Sequence, residues 1–180
     1  MVAITGINAK KMWLIYQKLG DSGMEKISTC LWFDNQAEEA ARFYVSIFKD
    51  SKIDKISYYG DEGPGQKGSV MVINFRLNER EVMALNGGPL YKFTPAISLY
   101  VNCENQDEVD YYWERLSEGG EKGPCGWLTD KFGLSWQIVP TILGVLMSDK
   151  DREKVDRVTH AMLQMGKLDI ALLKQAYDEA

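Results

Sequence analysis

Ile27-Ser28-Thr29-Cys30-Leu31-Trp32-Phe33-Asp34-Asn35-Gln36-Ala37-Glu38-Glu39-Ala40 runs from a β-branched and aromatic stretch straight into a helix start. The same order returns in Ala96 to Val101 (AISLYV), followed by Asn105-Gln106-Asp107-Glu108-Val109. Such an internal repeat is the strongest organising signal in the chain. Asn35 with Glu38, and Asn105 with Glu108, have the spacing of a capping box, in which the first side chain accepts a free helix amide and the glutamate reaches back. Behind the first cap, Ala40, Phe43, Tyr44, Ile47 and Phe48 make one apolar stripe at helical spacing. Val109, Tyr112, Trp113 and Leu116 repeat it behind the second, and Gly119-Gly120 ends that helix.

After the first helix, Lys55 to Tyr59, Ser69 to Leu77 and Glu81 to Asn86 read as strands, separated by the loop Gly60 to Gly68 and a tight turn at Leu77 to Arg80. In the second half, Gly126 to Leu128 and Ser135 to Val139 are the strand signals, joined by the turn Thr129-Asp130-Lys131-Phe132-Gly133. The strand that should precede them carries no clear signal. The expected fold class is α+β: paired βαβββ modules, about 24–90 and 91–140, forming a concave, cup-like mixed β-sheet in a domain spanning 24–140.

Residues 141–180 change character, becoming rich in Lys, Asp, Glu, Met and Leu, and predict a helical tail of two helices. The first opens at Asp149 or Asp151 and runs through Val155, Val158, Met162 and Met165. The second opens at Leu168-Asp169 and carries Ile170, Leu173 and Tyr177 inward. Residues 1–23 read as an N-terminal extension, with Met12, Ile15, Tyr16 and Leu19 at helical spacing and Met24 as a natural start.

Composition narrows the function classes. The chain has 180 residues, 45% of them hydrophobic, enough for a packed core, and a formal charge of −5, which argues against nucleic-acid binding. No apolar run is long enough for a membrane span. Cys30, Cys103 and Cys125 are odd in number and scattered, which points to a reducing, cytoplasmic setting rather than a disulfide framework. Gly60-Asp61-Glu62-Gly63-Pro64-Gly65 is acidic and followed by a strand, so it reads as a surface loop rather than a phosphate cradle. His160, the single histidine, reads as structural or exposed on the tail.

Several motifs then carry a resemblance. Ala40-Ala41-Arg42-Phe43-Tyr44, Met83-Ala84-Leu85-Asn86-Gly87-Gly88-Pro89, Phe93-Thr94-Pro95-Ala96-Ile97-Ser98, Cys125-Gly126-Trp127-Leu128 and Leu134-Ser135-Trp136-Gln137-Ile138-Val139-Pro140 occur in order. Together they resemble the PhnB-like, 3-demethylubiquinone-9 3-methyltransferase-like branch of the vicinal oxygen chelate superfamily of glyoxalases, bleomycin-resistance proteins and dioxygenases. The resemblance is taken to run from Met24 through the helical tail. It implies a small-molecule ligand in the sheet concavity and a homodimer, for which the Met and Leu stripe of the tail is a candidate element.

In metal-dependent members of that superfamily, side chains from the sheet hold a divalent ion that binds two neighbouring substrate oxygens. The resemblance places the corresponding positions at Ser28, Asn74, Ala96 or Ser98, and Gln137. Neutral hydroxyls and amides are weak donors for such ions, so no metal is expected there. Strand alternation adds Cys30 and Trp32 beside Ser28, and Arg76 beside Asn74, to a pocket suited to a small, partly apolar ligand. An alternative is that these side chains only fill a core. Two functional alternatives also stand: a metal-dependent transferase, lyase or dioxygenase acting on a phenolic, quinone or vicinal-oxygen compound, and a non-catalytic drug-sequestering binder. Methyl transfer from S-adenosylmethionine is disfavoured, because no βαβ unit with a glycine-rich turn is present.

Overall fold

A computed structural model describes residues 26–62 and 65–179, in two compact units that part between Lys92 and Phe93. The expected extension 1–23 and the start at Met24 lie outside the described residues. Each unit carries its own four-stranded mixed sheet, so the fold is α+β with a C-terminal helical tail. Among the described residues, no helix is long and apolar enough to cross a membrane.

The first unit contains β1 (Thr29–Phe33), α1 (Ala37–Ile47), β2 (Lys52–Tyr58), β3 (Val70–Leu77) and β4 (Arg80–Asn86), in sheet order β1-β4-β3-β2. β1 runs parallel to β4, and the other pairs are antiparallel. Alternation puts Leu31, Phe33, Ile73, Phe75, Val82 and Ala84 on the helix face, all buried. Ala40, Ala41, Tyr44 and Ile47 of α1 are buried too, and the Tyr44 ring stacks on Phe75 at 6.4 Å. Each large side chain removed from water in this way contributes roughly 2 kcal/mol. The predicted tight turn is a two-residue hairpin loop, with Asn78 at φ 46° and Glu79 at φ 66°.

The expected cap on α1 is not formed. Gln36 occupies the N-cap position without a side-chain bond, and the Ala37 amide instead donates to Asn86 Oδ1 at 2.8 Å, from the end of β4. Glu38 pairs with Arg42 one turn along at 2.7 Å. The parallel β1–β4 pairing delivers Asn86 to the helix start, so a tertiary group replaces the local one.

The second unit holds β5 (Ser98–Cys103), α2 (Gln106–Ser117), β6 (Glu121–Lys122), β7 (Trp127–Thr129) and β8 (Ser135–Pro140), in order β5-β8-β7-β6 with β5 parallel to β8. The strand that sequence reading missed is β6, whose two charged residues are too few to show alternation. Here the helix cap forms: Asn105 Oδ1 accepts from the Glu108 amide at 3.0 Å, and Glu108 reaches back to the Glu104 amide at 2.8 Å. In the β7–β8 turn, the buried Asp130 carboxylate accepts from the Phe132 and Leu134 amides at 2.8 and 3.0 Å and from the Trp136 indole at 2.8 Å.

The tail contains three helices rather than the two expected: α3 (Thr141–Met147), α4 (Arg152–Leu163) and α5 (Ile170–Asp178). α3 is a seven-residue segment with two buried leucines, Leu143 and Leu146, too short for a helical period to declare itself. Asp151 caps α4 and Asp169 caps α5; Met165 lies beyond the end of α4. The Met and Leu stripe packs on its own module: Leu143, Leu146, Val158, Leu168 and Leu173 form one cluster with Val139 of β8.

Candidate functional site on the helix-free sheet faces

On the first sheet, the face turned away from α1 has a regular grid. Cys30 lies beside Met83 and Met83 beside Asn74; one pleat further, Trp32 lies beside Leu85 and Leu85 beside Val72. Val72, Met83 and Leu85 are buried in one cluster, with Trp32 packed against it. Into this apolar surface projects the amide of Asn74, whose Oδ1 is buried and has no hydrogen-bond partner. Among the described residues it is the sole buried side-chain nitrogen or oxygen in that condition. An unsatisfied buried acceptor costs about 1–3 kcal/mol, so the fold tolerates it against its own stability.

The neighbours of Asn74 differ in what they offer. Cys30 is exposed, yet partial desolvation by the surrounding surface raises its thiol pKa, which keeps it protonated and a poor nucleophile near neutrality. The Trp32 indole N–H donates to the Gly88 carbonyl at 2.8 Å, and its ring meets Tyr91 edge-on at 5.0 Å. Gly87 lies so close that a Cβ there would stand 2.2 Å from the Trp32 ring. Arg76 was expected to line the pocket, but its guanidinium is held by Asp54 at 2.9 Å and Glu81 at 2.8 Å, which neutralises it locally. Ser28 precedes β1 and is exposed, so strand pairing does not fix it as it fixes Cys30 and Trp32.

The second sheet shows the equivalent face. Gln137 Nε2 donates to Ser98 Oγ at 2.8 Å, so two of the sequence-derived positions meet. Ala96 precedes β5 and is exposed, which places Ser98 rather than Ala96 on the strand. Trp127 pairs with Gln137, and Thr129 with Ser135. These residues adjoin a cleft of about 450 Å³ walled by Pro95, Pro124, Trp127, Thr129 and Ser135. Sequence reading had Trp127 in a motif but not in the pocket, because β7 spans only three residues and gives no reliable facing.

Neither sheet by itself offers donors that match a transition metal. Asn74, Ser98 and Gln137 supply neutral oxygens and nitrogens, and the Gln137 amide is already engaged with Ser98. Among the described residues, no group of three or more His, Cys, Asp or Glu side chains comes together in a way that could hold an ion.

The sequence model of the family described as 3-demethylubiquinone-9 3-methyltransferase matches residues 25–139. The chain belongs to that family. It is the PhnB-like branch of the vicinal oxygen chelate superfamily that the motifs resembled. The match ends before α3, so the three tail helices lie outside it, contrary to the expectation that the likeness runs to the C-terminus. Among solved structures, the PhnB protein from Bacillus cereus is 40% identical with a TM-score of 0.59, covering 65% of this chain and all (100%) of its own. Protein PA1353 from Pseudomonas aeruginosa shares the fold at 20% identity and a TM-score of 0.56, covering 65% of this chain and 98% of its own. No curated protein matches the chain.

Proposed function

We propose that this PhnB-like protein binds a small organic molecule on the helix-free faces of its sheets, without a metal. The observation that carries the reading is the lone Asn74 Oδ1, a buried acceptor without a donor, set between Met83 and Lys55 and beside the apolar cluster of Val72, Met83 and Leu85. A ligand with an apolar ring and an O–H donor satisfies both properties at once, and a phenolic compound is the simplest member of that class. On the second sheet, Ser98 and Gln137 offer a paired hydroxyl and amide beside Trp127, a similar combination of polar anchor and aromatic wall. The raised Cys30 thiol leaves this face without an activated nucleophile, Arg76 is engaged by two carboxylates, and Lys55, opposite Asn74 across β2–β3, is a further cation beside the acceptor, an arrangement that favours binding over covalent chemistry.

The reading includes a homodimer in the reducing cytoplasm, as the family resemblance and the three free cysteines suggest. Methyl transfer is not part of it. The turn after β1, Asp34-Asn35-Gln36, lacks glycine, and Asn86 fills the start of α1 where a nucleotide cofactor would bind in a dinucleotide-type fold.

The test is a catechol titration followed at the Met83 methyl resonance of methyl-labelled protein. Saturable shifts in the wild type and their loss in Asn74→Leu are expected. Equal shifts in both proteins would remove Asn74 from the site.

A further inference from the structure

The cleft beside Trp127 is bounded on one side by the tight turn Gly123 to Trp127, closed by Gly123 N–H to Trp127 O at 2.8 Å and Trp127 N–H to Pro124 O at 3.0 Å. Within this turn Cys125 has φ 55°, a left-handed conformation that a residue with a side chain adopts only when its surroundings impose it. What surrounds it is the tail. The Cys125 amide donates to Met165 O at 2.7 Å and the Gly126 amide to Gly166 O at 2.7 Å, while Gly126 O accepts from Ile138 of β8 at 2.8 Å. A Cβ on Gly126 would stand 2.7 Å from Ile138 O and 3.2 Å from the Leu168 side chain, so backbone and tail meet without spare room.

The α4–α5 connection that provides these carbonyls is itself fastened to α2. Gln106 Nε2 donates to Leu168 O at 3.2 Å, Gln106 Oε1 accepts from the Ile170 amide at 2.9 Å, and Lys167 pairs with Asp110 at 2.7 Å. Leu168 is fully buried.

We infer that the helical tail, which the family match does not include, is a positioning element for this cleft: by holding Cys125-Gly126 it fixes the turn that aims Trp127 beside Gln137. The cleft so formed, which Glu121 and Lys122 also line, takes a flat, mostly apolar molecule with a hydrogen-bonding group, matched to the indole of Trp127 and the hydroxyls of Thr129 and Ser135. The choice of ligand rests on the binding reading above; the mechanical role of the tail does not.

The experiment uses full-length protein labelled with 5-fluorotryptophan, the Trp127 resonance being assigned with Trp127→Phe, and 2-naphthol as the probe. Two variants loosen the tail in different ways: Leu168→Ala removes the packing against Gly126, and Gln106→Leu removes the two hydrogen bonds from α2 to the α4–α5 connection while leaving the Lys167–Asp110 pair and the core in place, so one remains informative if the other does not fold. In both, the Trp127 resonance is expected to move or broaden while that of Trp32 stays in place, and 2-naphthol to bind at least tenfold more weakly than to wild type. A Trp127 resonance unchanged in the folded variants overturns the positioning role. A wild-type Trp127 resonance that 2-naphthol leaves unmoved overturns the ligand class alone, with the tail's role still read from the variants.

Discussion

Asn86 of β4 caps helix α1 through the Ala37 amide at 2.8 Å, while its Nδ2 donates to Val70 O at 3.1 Å and its own carbonyl accepts the Tyr59 hydroxyl. One side chain thus joins the helix to β4 and to the start of β3. The next two residues continue the tie, Gly87 N–H to Phe33 O at 2.9 Å and Gly88 N–H to Asp34 O at 3.2 Å. Asn86→Ala removes a helix cap and strands the Val70 carbonyl, and the expected loss is about 2 kcal/mol of unfolding free energy, read by urea denaturation. A loss under a few tenths of a kcal/mol would show that water replaces these bonds at no cost.

Asp130 plays the corresponding part in the second unit, with two turn amides and the Trp136 indole on one buried carboxylate. Asp130→Ala leaves those donors without an acceptor and is expected to cost roughly 3 kcal/mol. Asp130→Asn retains the shape but presents an N–H₂ to one of three donors, so its stability is expected to fall between wild type and the alanine variant.

Alkaline stability depends on Cys103. Burial pushes its thiol from 9.0 up to about 12, with the Glu108 carboxylate adding repulsion and a hydrogen bond to the Val139 backbone partly opposing both. The folded state therefore keeps the proton where the unfolded chain releases it. The stabilisation is complete below about pH 9 and is lost as pH rises toward about 12, with a slope of up to ~1.4 kcal/mol per pH unit. Cys103→Ala is expected to flatten this decline in chemical denaturation measured from pH 8 to 11. An unchanged slope would assign it to other groups.

Metal content gives a separate check. Untagged protein soaked in Zn(II), Ni(II), Mn(II) or Fe(II) and then desalted is expected to retain far less than one equivalent by elemental analysis, because Asn74, Ser98 and Gln137 are neutral donors. A stoichiometric ion would reinstate lyase or oxygenase chemistry.

Much of the fold was readable wherever a segment was long enough to show its period. β3, with eight residues, α1 with eleven and α2 with twelve carry clear alternation or stripes, and their ends shift by a few residues at most. β6 and α3 were not readable, since two residues and seven residues are shorter than the patterns that would reveal them. The cap on α1 was misread because Asn35 has the right local chemistry but the parallel β1–β4 pairing brings Asn86 closer. Within the candidate site, motif register named Gln137 and left Ala96 or Ser98 open, without their contact, whereas the engagement of Arg76 by Asp54 depends on a β2–β3 register with a bulge that no sequence pattern announces, and that by Glu81 on the β3–β4 pairing. The unsatisfied Asn74 Oδ1 is a property of packing alone.

The most direct measurement is calorimetric titration of the full-length protein, in the presence of EDTA, with catechol and with 1,2-dimethoxybenzene, which keeps the ring but has no O–H to offer Asn74 Oδ1. Saturable binding of catechol, unaffected by EDTA and at least tenfold tighter than that of the dimethoxy compound, is the predicted result. Equal binding of the two, or catechol binding that appears only when a divalent metal replaces EDTA, would contradict the account.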